Sequence, residues 1–211
     1  MTISKFLTSA ILIATLAASA CSTNNVVHEP QILSPEENTT IQTIMTRRSI
    51  RNFADNPVGR DTVDLILKCG INAPNAMNAQ QWELRVVDNQ KWLTDISNVQ
   101  TAPSQTESKE RNMFRGAPTV IFIAHKPNSF TPIDCGLLGE NICIAATALG
   151  VGSIVMGGPT STMNTVPEFT PFIETLGFSQ GYELLYCIGL GYALEKPEAR
   201  PRNEAVIKYV D

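Results

Sequence analysis

The sequence predicts a single globular domain of the mixed helix-and-sheet class, preceded by an export signal and a short tether. Three observations carry this expectation. A chain of 211 residues has room for one sizeable core and little room for two. Hydrophobic residues make up 43% and charged residues 17%, the balance of a soluble folded protein rather than a disordered or fibrous one. Stretches with helical apolar spacing alternate with short apolar runs of strand length.

At the N-terminus, Lys5 precedes an apolar run from Phe6 to Ala20 that ends in Ala18-Ser19-Ala20-Cys21, the layout of a secretory signal. Thr8, Ser9, Thr15 and Ser19 dilute the run, which falls short of the roughly 20 apolar residues of a permanent transmembrane helix. The small residues before Cys21 resemble a bacterial lipobox, with Ala18 where that pattern prefers leucine. The resemblance implies a signal peptide over 1–20, lipidation at Cys21 and a position in the bacterial cell envelope, anchored to a membrane outside the cytoplasm. The blander alternative is an ordinary cleaved signal with an incidental cysteine. Residues 22–38, rich in Asn, Pro, Ser and Glu, read as a flexible tether, and 39–211 as the folded domain.

Within that domain, Thr39 to Gln42 has the spacing of a helix-capping box, and Ile41, Ile44 and Met45 recur at helical intervals, so a first helix is expected to about Arg48. Asp61 or Thr62 can cap a second helix carrying Val63, Ile66, Leu67, Gly70 and Ile71 on one face, stopped by Pro74. Trp82 to Val87 reads as a strand, and Thr119 to Ala124 as a strand buried on both faces. From Asp134 to Gly150 a helix with almost no polar face is expected, one that must be covered on nearly all sides. Ser153 to Met156 and Glu183 to Leu190 read as two further strands, and the alternation from Val206 to Val210 suits a final edge strand.

Composition also excludes several functions. A net charge of -4 without a dense Lys/Arg run argues against a nucleic-acid partner. Cys69, Cys135, Cys143 and Cys187 form no CxxC pair and lie far in sequence from His28 and His125, so no metal site is expected; each reads as a small buried thiol. The glycine pairs at 150/152 and 189/191 fail the GxGxxG pattern, because Val155 and Leu194 stand at the third glycine position. A nicotinamide donor would therefore have no dinucleotide-binding domain of its own.

Two segments suggest chemistry. Arg47-Arg48-Ser49-Ile50-Arg51-Asn52-Phe53 sets three guanidiniums and a hydroxyl at a helix end, donors suited to a phosphate or to the polar edge of a heteroaromatic ring. A solvated basic helix end would look the same in isolation. Ala73-Pro74-Asn75-Ala76-Met77-Asn78-Ala79-Gln80-Gln81-Trp82 places amide side chains in a helix-to-strand loop, where they can satisfy ring donors and acceptors or simply form turns.

Taken together, these segments resemble the nitroreductase family, which carries similar Arg-Arg-Ser-x-Arg and Pro-Ser-x-x-Asn-x-Gln-Pro-Trp segments, with Asn75 and Gln81 here in place of the usual Ser and Pro. The resemblance continues through Asp134-Cys135-Gly136, Glu140-Asn141-Ile142, Met156-Gly157-Gly158 and Ile188-Gly189-Leu190-Gly191-Tyr192, with Arg202 downstream. It implies an α+β fold with a mostly antiparallel sheet flanked by helices, an intertwined homodimer and bound FMN. It implies that Arg47, Arg48, Ser49 and Arg202 hold the phosphate and that Arg51 lies toward the flavin ring. Pro74, Asn75, Asn78 and Gln80 would reach the flavin of the other subunit, and the backbone of Met156, Gly157 and Gly158 would face its N5 edge. The implied reaction is ping-pong hydride transfer from a reduced donor, NAD(P)H in vitro, through flavin N5 to nitroaromatics, quinones or similar electrophiles, with no catalytic side chain. The alternative is a non-catalytic FMN-binding lipoprotein with a binding or assembly role. Residues 98–115 are too polar for core and lie where that family often covers its pocket, so Met113 and Phe114 are either substrate contacts or apolar anchors of a loop.

Overall fold

The computed structural model describes residues 38–99 and 113–210; the signal, Cys21 and nearly all of the tether lie outside the described residues. The chain forms α1 (Thr39–Thr46), α2 (Arg60–Ile71), β1 (Trp82–Val87), α3 (Gln90–Val99), β2 (Thr119–His125), α4 (Thr131–Ala148), β3 (Gly152–Met156), α5 (Gly158–Thr165), α6 (Thr170–Leu176) and β4 (Glu183–Gly191). The four strands lie in the order β1-β2-β4-β3, and every pairing is antiparallel.

β2 shows why the fold takes this form. All seven of its residues are buried. Alternate side chains leave a strand on opposite faces. Val120 and Phe122 accordingly join a core with Leu93, Ile96, Met163 and Phe169 from the α3–α6 side, while Ile121 and Ile123 join one with Val63, Ile66, Leu138 and Ile142 of α2 and α4. A sheet covered on both sides needs a continuous apolar run rather than an alternating one, as this strand has. Trp92 stacks edge-on against Phe122 and Phe172, with ring centroids 5.6 and 5.4 Å apart. Among the described residues, no helix is long and apolar enough to cross a membrane.

The structure corrects several boundaries. Asn38, not Thr39, caps α1, its side chain accepting the Thr40 and Ile41 N–H groups at 3.0 and 3.1 Å. α2 starts from Gly59 with no side-chain cap, and Ile71 is exposed rather than on the buried face. Val206 to Val210 forms no strand: Glu204–Val206 is a single 3-10 turn, and the rest of this exposed tail pairs with no strand among the described residues. Helices α3, α5 and α6 were not expected at all.

α4 is the apolar helix anticipated, three residues earlier at its start. Its buried side includes Leu138, Ile142, Cys143 and Ala146. Ile133 and Leu137 on the other side remain 65% and 42% exposed, and α1, which packs on α4, exposes Ile41, Ile44 and Met45 by 37%, 46% and 65%.

Candidate functional site

The segment after α1 runs along the sheet edge and is fixed there by its backbone. Ile50 N–H donates to Ser153 O of β3 at 3.0 Å, Ala54 N–H to Tyr192 O at 2.9 Å, and Leu194 N–H to Asn52 O at 2.9 Å. The Arg51 N–H donates to the Glu195 carboxylate. Ile50 and Phe53 turn inward, the latter against Gly191, where any Cβ would fall 2.8 Å from Phe53 Cδ1. Arg51 and Asn52 between them are exposed, and Arg47, Arg48 and Ser49 are half-buried.

There, Arg47, Arg48, Ser49 and Arg51 meet Arg200 and Arg202 from the tail around a pocket of about 170 Å³. Five guanidiniums thus line a space to which Glu198 adds the single carboxylate. Glu140 offsets part of the charge of Arg47 at 3.8 Å. Arg48 Nη1 donates to Met45 O and Arg47 O at 2.7 and 2.8 Å, capping the end of α1, while its Nε is buried without a hydrogen-bond partner. Arg51 and Arg202 each make one local bond, to Ser49 O at 3.1 Å and Arg200 O at 3.2 Å. Like charges gathered with few counter-charges, and a buried donor left open, are the features of an anion site. A larger groove of about 590 Å³ adjoins it, floored by Ile50, Val151 and Gly152 and edged by Arg48, Glu195 and Lys196.

The amide-rich loop lies elsewhere. It follows α2 and meets the first turn of α4, where Ala76 N–H donates to Asp134 Oδ1 at 3.2 Å. The groove beside the arginines instead reaches Thr147 at the far end of that helix. Thirteen residues at 1.5 Å each separate the two contacts by about 20 Å along the axis. No residue from 74–80 lines the arginine pocket. Asn75 spends its amide inside the loop, accepting the Gln80 N–H at 2.9 Å and donating to Ala73 O at 3.3 Å, whereas Pro74, Asn78 and Gln80 are exposed. Met156 ends β3 buried, and Gly157 and Gly158 lead exposed into α5, which has no side-chain cap.

Met113 and Phe114 are seated in the core. They are 7% and 0% exposed, and the Phe114 ring stands edge-on to Phe122 at 5.6 Å. Such burial is that of apolar anchors, one of the two roles open to them. Residues 100–112 between them and α3 lie outside the described residues. Burial pushes the Cys135 thiol up to about 11 and raises Cys143 and Cys187 in the same direction. Among the described residues no cluster of His, Cys, Asp and Glu could hold a metal ion. Sequence reasoning missed Glu195 and assigned no role to Asp134; each acts through a backbone N–H distant in the chain.

Comparison with known proteins converges on one group. The sequence profile of the nitroreductase family matches residues 44–192. A nitroreductase with bound FMN from Desulfitobacterium hafniense superposes with a TM-score of 0.74 at 28% identity, covering 82% of this chain and 99% of that one. An FMN-dependent nitroreductase from Clostridium difficile superposes at 0.63 with 29% identity, covering 83% and 99%. The NADPH-flavin oxidoreductase of Vibrio harveyi is 25% identical over 178 residues, 80% of this chain and 71% of that protein.

Proposed function

The chain belongs to the nitroreductase family, and from that premise we propose that it is a homodimeric FMN-dependent oxidoreductase that takes reducing equivalents from NAD(P)H and delivers them to nitroaromatics, quinones or similar small electrophiles. The observation that carries this reading is the arginine pocket. Its surplus of guanidiniums, the Ser49 hydroxyl and the open Arg48 Nε suit a phosphate dianion, which needs positive charge and several donors. When bound, FMN supplies the two-electron redox chemistry that no side chain here can.

The protein's own part is to bind, orient and cover. Arg47, Arg48, Ser49 and Arg202 hold the phosphate, and Arg51 brings positive charge toward the ring. The amide loop contributes no residue to the arginine pocket and meets α4 at Asp134, away from the Glu140 and Thr147 contacts of the arginine side; that separation supports a site completed by the other subunit, in which Pro74, Asn75, Asn78 and Gln80 serve the partner's flavin. The exposed apolar side chains of α1 and α4 and the wholly exposed tail, with Tyr209 92% and Val210 97% exposed, are the surface that such a dimer would bury. The flavin N5 edge is proposed to face the backbone of Met156, Gly157 and Gly158. We also propose that Cys21 is lipidated and holds the domain at a membrane outside the cytoplasm, on the strength of the Ala18-Ser19-Ala20-Cys21 sequence.

Purification tests the assignment: the protein should be a dimer containing one noncovalently bound FMN per chain, measured by native mass and by the spectrum of flavin released on denaturation. A colourless monomer that FMN does not reconstitute would overturn it.

A further inference from the structure

A buried carboxylate at the start of α4 has no part in the reading above. Asp134 is 7% exposed, and its Oδ1 accepts the Ala76 N–H at 3.2 Å. The other end of the amide loop is tied to the same region. Lys126 N–H donates to Gln81 O at 3.2 Å, and Asn128 Nδ2 donates to Gln81 Oε1. Asn128 is itself fixed, its Oδ1 accepting the Phe130 and Thr131 N–H groups at 2.8 and 3.0 Å.

Between these ties the backbone is strained. Met77, Asn78 and Gln80 have φ of 54°, 52° and 48°, three of the four non-glycine residues with positive φ among the described residues. Side chains disfavour this left-handed region, and residues persist there only where their surroundings over-determine them. Packing does not supply that constraint, because Met77 is 91% exposed and Asn78, Ala79 and Gln80 are exposed as well. The constraint comes from hydrogen bonds: inside the loop, from Gln80 N–H to Asn75 Oδ1, Asn78 N–H to Asn75 O and Ala79 N–H to Ala76 O, and at its two ends the outer ties.

We infer that Asp134 is a positioning residue, whose carboxylate, acting through the Ala76 N–H, holds the 76–80 loop, with Met77, Asn78 and Gln80 left-handed, in the conformation that presents Asn78 and Gln80 to the flavin ring. A charged acceptor suits the task because its hydrogen bond is stronger than a neutral one, and the first turn of α4 favours a negative charge, which offsets the cost of burying it. The geometry stands without the flavin; its purpose rests on the function proposed above.

The test uses the full-length protein as wild type, Asp134→Ala, Asp134→Asn, Ala76→Pro and the Asp134→Ala/Ala76→Pro double variant. Ala76→Pro keeps the carboxylate and removes only its donor, and the extended Asn75 (φ -149°, ψ 156°) tolerates a following proline. Amide hydrogen exchange is followed at residues 77–80, and binding is measured for both FMN and riboflavin. Asp134→Ala should speed exchange there about tenfold with β2 and α4 still protected, and weaken FMN and riboflavin by the same factor of about tenfold, as expected for loss of a charge-assisted bond acting at the ring. Ala76→Pro should match it, the double variant should be no worse than either single one, and Asp134→Asn, whose Oδ1 accepts the same N–H without the charge, should fall between wild type and Asp134→Ala. Unchanged exchange in Asp134→Ala would overturn the inference, as would a loss confined to FMN with riboflavin binding intact. A wild-type protein that binds neither flavin while the exchange contrast holds would overturn the flavin reading and leave the clamp standing.

Discussion

Replacing Arg202 with alanine isolates the phosphate contact from the stability of the fold. Among the described residues its guanidinium hydrogen-bonds to Arg200 O two residues away at 3.2 Å, and the residue is exposed. Removing it should therefore leave thermal stability within about 0.5 kcal/mol of wild type, the range of ordinary surface substitutions. A charge-assisted hydrogen bond contributes about 1.5 to 3 kcal/mol, or roughly tenfold to a hundredfold in affinity. Solvent screening of an exposed arginine puts the expected value at the lower end, about tenfold weaker FMN binding at low salt. The loss should shrink as ionic strength rises and the Debye length falls toward about 8 Å at 0.15 M. The assay is fluorescence titration of the apoprotein with FMN and, in parallel, with riboflavin, which lacks the phosphate. Arg202→Ala should lose FMN affinity and keep riboflavin affinity. A variant that retains the wild-type preference for FMN over riboflavin would refute the assignment of this pocket to the phosphate. Arg48→Ala should differ by also lowering the melting temperature, because its Nη1 caps α1.

Gly139→Ala should destabilise the fold, because a Cβ there would lie 2.3 Å from the Tyr186 hydroxyl; overpacking of this kind costs about 1 to 3 kcal/mol, seen as a fall of several degrees in melting temperature. Among the four described cysteines, Cys69 is exposed and should react rapidly with a thiol reagent at pH 8, while Cys135, Cys143 and Cys187 react only on unfolding. Burial holds the Cys135 thiol neutral to about pH 11, whereas in the unfolded chain it ionises near 9, so this residue's contribution to stability is present below pH 9 and lost between pH 9 and 11; denaturant midpoints that stay flat across that window would contradict it. If Cys21 is lipidated, the 17-residue tether keeps the domain within roughly 20 to 25 Å of the bilayer, and we propose that the donor in the cell is a membrane-proximal reductant such as a quinol or a partner redox protein. Cys21→Ser exported as a soluble protein should then lose activity in intact cells at equal abundance and FMN loading; equal activity would remove the reason for invoking that donor.

How much of this was legible in the sequence follows from how local each signal is. β2 could be read as buried on both faces because Thr119 to Ala124 is uninterrupted apolar chain, and the structure divides its side chains between two cores. α3 was legible but overlooked: Trp92, Leu93, Ile96 and Val99 stand at helical spacing, and all four meet the core. α5, with the sequence GPTSTMNT, has poor intrinsic propensity, and its helix closes over buried Thr160 and Met163. The alternation of Val206 to Val210 was misleading because a strand needs a neighbour, and the tail has none among the described residues. At the site, Arg47 to Arg51 stood out because they are contiguous. Asp134 and Glu195 did not, because they accept from Ala76 and Arg51 N–H groups 58 and 144 positions away, and no local pattern marks such a partner.

The central claim is that this chain is a working flavin oxidoreductase in which donor and acceptor use one exposed flavin in turn. Anaerobic stopped-flow spectroscopy tests it by running the two half-reactions separately on the purified dimer. The flavin absorbance should be bleached by NADH or NADPH with no acceptor present, and after removal of the nicotinamide it should return on addition of a quinone or a nitroaromatic. A flavin that neither nicotinamide bleaches, or that bleaches and is not reoxidised by any such electrophile, would contradict the account and leave a binding protein in its place.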